Sequence, residues 1–208
     1  MERFVNSAKK KIAALVSIGA LLLLAGCAST TAAFTVGKNS VSVTDIQTSV
    51  DNIVAARKGV DTTGMTLQTG NALIESQVQF FLFAELLSRL AQEHGLSVTP
   101  AELAQEKAGV IQQVGGAAIF PKALINAGID PKSVDLYFTS VLYSQKLSDM
   151  IKKSGTAAAD VSAALTSLVS QEAIKLGVTV NPRYGKWDAK NGVLIPADAA
   201  SGAVTTKK

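Results

Sequence analysis

The chain has 208 residues, of which 48% are hydrophobic and only 5% aromatic, and its formal charge is +4 at pH 7. This length suffices for one domain with a sizeable core, and a composition rich in Ala, Leu and Val but poor in aromatic residues favours helices over a β-sandwich. A single cysteine excludes a disulfide framework within the chain. No basic segment with interleaved aromatic residues indicates nucleic-acid binding.

The first 26 residues have the form of a secretory signal peptide. Arg3 and the lysines at 9–11 precede an uncharged, apolar run at 12–24. That run is shorter than the roughly twenty residues that a helix needs to span a bilayer, so cleavage is expected. Cleavage would remove one glutamate and four basic residues, which leaves 16 basic and 15 acidic residues. Most of the excess positive charge is therefore expected to serve targeting.

The segment Leu24-Ala25-Gly26-Cys27 closes the apolar run. It resembles the lipobox of bacterial lipoproteins, and the resemblance implies that a diacylglyceryl group is attached to Cys27 and that the chain is cut before it. Two acyl chains, palmitate among the usual ones, suffice for stable anchoring. The alternative is an ordinary signal peptide followed by a free, buried cysteine. On the lipoprotein interpretation, the mature chain sits at the cell membrane on its extracytoplasmic face, with residues 27–33 as a tether.

Residues 34–195 are expected to form one domain that begins with a β-hairpin at 34–43. Apolar and small polar residues alternate there on both sides of a glycine-containing turn. Thr44, with Gln47 three residues later, predicts the start of the first helix. The expected apolar face of that helix consists of Val50, Ile53 and Val54.

The strongest helical signal runs from residue 69 to 94, with Gly95 at the position that commonly follows a helix end. Apolar residues cover so much of this helix that neighbours on more than one side are expected. His94 is the only histidine of the chain. We interpret it as a residue favoured by the helix dipole rather than as a catalytic base.

Further helices follow at shorter intervals. Thr99, Pro100 and Glu102 predict a capped helix start. The predicted helices span about 99–114, 117–126, 130–153 and 157–176. Asp130-Pro131 marks the predicted start of the third of these helices. Strands are then predicted at 178–180, 183–187 and 193–195, and the tail at 196–208 is expected to be disordered.

The order of hairpin, capped helix and long helix, followed by Gly-Leu-Ser-Val-Thr-Pro-Ala-Glu-Leu at 95–103, resembles the N-terminal core of the SurA and PrsA family of extracytoplasmic chaperones. The segment at 120–142 and the segment Gly-Val-Thr-Val-Asn-Pro-Arg-Tyr-Gly at 177–185 resemble that family too. The resemblance covers about residues 33–187. It implies a mainly α fold, a SurA N-terminal-like helical domain in which a small β element joins the N-terminal hairpin to the C-terminal strands.

One feature of the family is missing from this sequence. Family members commonly carry a parvulin-type prolyl isomerase domain between the last core helices, where this chain has only residues 152–156. Prolyl isomerase activity is therefore not implied. The chain also has no glycine-rich phosphate loop, no Gly-x-Ser-x-Gly motif and no His or Cys cluster with ligand spacing. We expect the chain to have no enzymatic activity and to bind neither a metal nor a cofactor.

The function that these features favour is an ATP-independent chaperone that binds unfolded or extended segments of exported polypeptides. The alternative is a non-catalytic envelope scaffold or accessory lipoprotein that binds one folded partner. Candidate client-binding residues share aromatic or flexible apolar side chains: Phe80, Phe83, Tyr137, Tyr143 and Met150. Such residues also form cores, and a core position is favoured for Phe81 and Phe138. The sequence leaves the oligomeric state and the number of membranes of the host open.

Overall fold

The structure, a computed structural model, describes residues 31–197. The predicted signal peptide, Cys27, residues 27–30 of the tether and residues 198–208 of the tail lie outside the described residues. The described chain is mainly α with a small β element, which confirms the predicted fold class.

Six α-helices make up most of the described chain: α1 (Val43–Arg57), α2 (Gly70–Glu93), α3 (Pro100–Gln113), α4 (Phe120–Asn126), α5 (Val134–Lys153) and α6 (Val161–Leu176). Two short 3-10 helices occupy Ala158–Asp160 and Pro182–Tyr184. The strands are β1 (Ala32–Val36), β2 (Asn39–Ser42), β3 (Val178–Val180), β4 (Lys186–Asp188) and β5 (Val193–Ile195). None of these helices combines the length and the apolarity that crossing a bilayer would require.

The N-terminal strands β1 and β2 and the strand β3, which follows α6, form a three-stranded antiparallel sheet. β1 lies in the middle, where Phe34 pairs with Val41 of β2 on one side and with Val180 of β3 on the other. The small β element that was expected to join the N-terminal hairpin to a C-terminal strand is therefore confirmed. The predicted tether boundary at residue 33 is wrong, because Ala32 and Ala33 belong to β1 and Ala33 is fully buried.

The second sheet is the two-stranded hairpin of β4 and β5, in which Trp187 pairs with Leu194. β4 begins later than the predicted strand at 183–187, because the chain first makes the 3-10 turn at Pro182–Tyr184. The side chain of Asn181 caps this turn by accepting a hydrogen bond from the Arg183 N–H. The buried side chain of Tyr184 then enters the main core, a cluster of buried side chains that includes Phe34, Ile46, Leu82 and Val169.

The first helix begins two residues earlier than predicted. Ser42 is the N-cap, its Oγ accepts from the Asp45 N–H at 3.0 Å, and the Asp45 carboxylate accepts from the Ser42 N–H at 2.9 Å. Asp45 also places a negative charge near the positive end of the helix dipole, which Gln47 cannot do. The helix turns Ile46, Ser49, Val50 and Ile53 inward, whereas Val54 is exposed, contrary to prediction.

The long helix α2 is the centre of the domain. It packs against α1, α5, α6, β1 and the β5 hairpin, as its broad apolar surface predicted. Thr69 is its N-cap, and Gly95 follows its end as predicted. Its fully buried residues in the main core are Val78, Leu82, Leu86, Leu87 and Leu90.

A second hydrophobic cluster lies where α3, α4 and α5 meet. Its buried members are Leu124, Val134 and Phe138, and half-buried apolar side chains pack against them. The predicted capping box of α3 is confirmed, with Thr99 and Glu102 bonded reciprocally. α5 begins at Val134 rather than at Asp130-Pro131, because Asp130 instead closes a turn by accepting from the Lys132 N–H and the Ser133 hydroxyl.

Candidate functional site

A series of aromatic rings crosses from α2 to α5 and on to α4. The ring centroids are separated by 5.2 Å from Phe81 to Phe80, 6.2 Å from Phe80 to Tyr137 and 5.3 Å from Tyr137 to Phe138. Phe138 in turn stacks with Phe120 at 6.4 Å. All four distances fall in the range in which aromatic pairs attract each other. Two of the predicted binding residues, Phe80 and Tyr137, are thus neighbours although they belong to different helices.

Phe80 and Tyr137 line a cleft of about 270 Å³ between α2 and the loop that joins α4 to α5. Both side chains are half-buried, so part of each ring faces solvent. The complete lining is Gln68, Ser76, Gln77, Phe80, Ala127, Gly128, Ile129 and Tyr137. None of these residues carries a formal charge at neutral pH. The cleft therefore suits an uncharged, partly apolar group that also offers hydrogen-bonding atoms.

A buried carboxamide fixes one wall of the cleft. The Oε1 atom of Gln77 accepts from the Ser49 hydroxyl of α1 at 3.0 Å, and its Nε2 donates to the Gly128 carbonyl at 3.0 Å. Gln77 is therefore satisfied on both sides although its side chain is buried. This pair of hydrogen bonds holds α1, α2 and the α4–α5 loop at fixed separations.

The same loop is held a second time by Asp130, which is buried. Its carboxylate accepts from the Asn52 Nδ2 of α1 at 3.1 Å and from the Ser133 hydroxyl at 3.0 Å. The backbone N–H of Lys132 supplies a third hydrogen bond at 2.8 Å. Because α1 bonds to both Gln77 and Asp130, two sets of hydrogen bonds tie the α4–α5 loop of the cleft to α1 and α2.

The other three candidate residues lie elsewhere. Phe83, Tyr143 and Met150 are half-buried and pack against the main core, and none of them lines the cleft with Phe80 and Tyr137. Phe138, for which a core position was favoured, is 1% exposed in the second cluster. Phe81 is half-buried against the main core.

The sequence interpretation missed the polar part of the cleft. Gln77 interrupts an apolar stripe between Leu73 and Val78, and a polar residue at such a position was the available signal. Gln68 and Gly128 gave no comparable signal. Gly128 reaches the cleft because its loop returns to α2 about fifty residues later, as the spacing between Gln77 and Gly128 shows. Gln68, just before α2, comes to lie beside that loop.

The charged side chains whose pKa values are shifted by their neighbours lie outside the cleft. Lys146 and the Thr99 cap lower the pKa of Glu102 to about 2. A hydrogen bond from Lys175 lowers the pKa of Glu93, and the pKa of Lys175 is raised by Glu93 and Glu172. Within residues 31–197, no three His, Cys, Asp or Glu side chains are grouped so that they could hold a metal ion.

Comparisons of the chain with models of protein families, with curated proteins and with solved structures find no match.

Proposed function

We propose that the protein is a lipid-anchored, extracytoplasmic, ATP-independent chaperone that binds extended or unfolded segments of exported polypeptides. The observation that carries the proposal is the uncharged cleft in which Phe80 and Tyr137 present half-buried rings beside the carboxamide of Gln68, while the Gln77 carboxamide is used within the wall. Unfolded segments expose apolar side chains together with unpaired backbone amides. A cleft of mixed aromatic and amide lining can meet both needs.

The size of the cleft sets how much of a client it takes. A volume of about 270 Å³ lies just below the range of about 300–1,000 Å³ that is typical of pockets for drug-sized ligands. One or two side chains fill it, while the rest of the client stays outside. Contacts of this size give weak binding with little sequence preference, and the client leaves by simple dissociation.

Features of the sequence support the location. An anchored protein outside the cytoplasm is favoured by three features: the signal-peptide form of the first 26 residues, the lipobox-like Leu24–Cys27 segment and the resemblance to SurA and PrsA. There, exported chains emerge unfolded, and binding without ATP is what such a compartment requires.

A second candidate is an accessory lipoprotein that binds one folded partner. It is favoured by the outer face of β5, where Val193 and Ile195 are 44% and 48% exposed on the same side of one strand. Two apolar side chains form a small patch, and isolated surface apolar residues are common. The cleft is therefore the stronger basis for a function.

The two candidate functions differ in the partners that the protein should bind. The purified protein should slow the aggregation of a chemically unfolded protein, followed by light scattering, and should bind short apolar peptides with micromolar dissociation constants. Failure in both assays would remove the chaperone proposal. Capture from envelope extract of a single partner in fixed stoichiometry, lost on Val193→Ser, would favour the second candidate.

A further inference from the structure

We propose that α3 is a displaceable lid over the second hydrophobic cluster, and that its opening uncovers an apolar surface continuous with the cleft. We further infer that this surface takes the same uncharged, apolar client segments, a step that rests on the proposed function. The lid itself does not rest on it.

The first observation is that α3 contributes little to the core. None of its 14 residues is buried, whereas every other α-helix in the described chain buries at least two residues. Only Leu103 and Val110 of α3 pack against the second cluster, and both remain half-buried. The apolar area that holds α3 in place is therefore small.

Two partly exposed ion pairs join α3 to α5. Lys146 Nζ lies 2.5 Å from Glu102 Oε1, and Lys107 Nζ lies 2.6 Å from Asp135 Oδ1. Gln145 adds a long contact of 3.4 Å to Glu106. The paired charges are partly or largely exposed, and such pairs contribute little and are screened by salt. The attachment is thus sensitive to ionic strength.

The connections of α3 allow it to move as a unit. Gly115 and Gly116, two successive residues without side chains, lie in the segment that joins α3 to α4 and have φ angles of +102° and +98°. At its other end the Thr99–Glu102 capping box satisfies the first turn from within the helix. Apart from the Lys146–Glu102 pair, the capping bonds at the start of α3 thus lie within the helix itself, and the double glycine is the point at which the chain would bend when α3 moves.

The surface beneath α3 continues the cleft. Tyr137 lines the cleft and also packs against the second cluster, beside Phe138. Opening of α3 therefore extends an exposed aromatic surface from Phe80 through Tyr137 towards Phe120. In the closed form Leu103 and Val110 occupy positions that apolar side chains of a client would take.

Amide hydrogen exchange, measured on the protein as purified from the cell, tests the lid without any client. In wild type, α3 amides should exchange several-fold faster when NaCl rises from about 0.05 to about 0.5 M, while α5 amides should not change. The double variant Lys107→Met/Lys146→Met should raise α3 exchange about three- to ten-fold at low salt, because methionine keeps the apolar stem and removes the charge.

The matched control is Lys152→Met. Lys152 lies on α5 and pairs with Asp149 of the same helix rather than with a residue of α3. This variant should leave α3 exchange unchanged. If α3 amides exchange at the rate of α5 amides in all variants and at both salt concentrations, α3 opens only with the whole domain and the lid is refuted.

A labelled peptide of alternating phenylalanine and serine tests the second step. It should bind the double variant about three-fold or more tightly than wild type, and Lys152→Met like wild type. Faster α3 exchange with unchanged peptide affinity would overturn the client surface and leave the lid standing. A peptide that binds no form of the protein would count against the proposed function itself, whatever the exchange of α3.

Discussion

The side chain of Gln79 on α2 pairs with the backbone of β5 beside Leu194. Its Oε1 accepts from the Leu194 N–H at 2.6 Å, and its Nε2 donates to the Gly192 carbonyl at 3.3 Å. The carboxamide of Gln79 thus provides one acceptor and one donor to the backbone of the β5 hairpin, as the backbone of a neighbouring strand would. This contact holds the β4–β5 hairpin against the central helix, where Leu194 packs on the main core.

Replacement of Gln79 by Ala should lower the free energy of unfolding by about 1–3 kcal/mol, because it removes two hydrogen bonds and leaves a half-buried N–H without its partner. The measurement is urea denaturation followed by circular dichroism. Gln92→Ala is the matched control, since Gln92 is exposed near the end of the same helix. Its effect should stay within about 0.5 kcal/mol. Equal effects of the two variants would show that Gln79 does not hold the hairpin.

Gly185 lies where the chain approaches its own C-terminal segment. It has a φ of +121°, and a Cβ placed on it would collide with the backbone carbonyl of Ile195. Gly185→Ala should therefore cost more than about 3 kcal/mol, since backbone strain and steric overlap add. In Gly155→Ala the φ of +97° is similar but nothing lies within 4 Å of the added carbon, so only the strain of about 1–3 kcal/mol should remain. Thermal unfolding of both variants measures the difference, and its absence would contradict the close approach.

The stability of the protein should decrease at acid pH partly through Glu102. The pKa of this carboxyl is lowered from 4.5 to about 2 in the folded chain, chiefly by the hydrogen bond from Lys146. A lowered folded-state pKa means that the contribution is complete above about 4.5 and is lost as the pH falls through about 2. The difference in melting temperature between wild type and Glu102→Gln should thus shrink across this window.

Lys146→Met provides the control for this pH dependence. It removes the main cause of the lowered pKa and leaves the carboxylate in place. The pH-dependent difference from Glu102→Gln should be smaller in the Lys146→Met background. A difference of the same size in both backgrounds would refute the role of Lys146.

Cys27→Ser tests the proposed anchor. The variant should take up no labelled palmitate and should be either released from the membrane fraction or left unprocessed, because serine lacks the thiol that the lipid requires. Ala28→Ser, a change of the next residue, should label and fractionate as wild type does. Labelling that persists in Cys27→Ser would remove the lipoprotein interpretation.

Local signals in the sequence predicted several elements correctly. Thr99-Pro100-Ala101-Glu102 predicted the start of α3 because every partner of its capping box lies within four residues. The start of α1 was predicted wrongly because the spacing of Thr44 and Gln47 fits a capping box, whereas Ser42 and Asp45 form the box in the structure. Ser42 also ends a strand that is paired to Ala32 of β1, a contact outside the helix that the capping pattern does not include.

The candidate cleft was predictable only in part. Phe80 and Tyr137 could be named as candidates from their residue type, but their proximity depends on the packing of α2 against α5. The same holds for Phe83, Tyr143 and Met150, which differ from them only in facing the main core. The amide wall depends on the hydrogen bond from Gln77 to Gly128, which no periodicity within α2 encodes.

The affinity of an uncharged apolar peptide for variants of the cleft tests the central claim most directly. In fluorescence anisotropy, Phe80→Ala and Tyr137→Ala should each weaken binding about ten-fold, the typical loss for an aromatic anchor in a pocket, with circular dichroism confirming that both remain folded. The control is Ile174→Ala on α6, where the side chain is 66% exposed, and it should bind as wild type does. Binding that survives both aromatic substitutions, or that Ile174→Ala weakens equally, would contradict the assignment of the cleft as the client site.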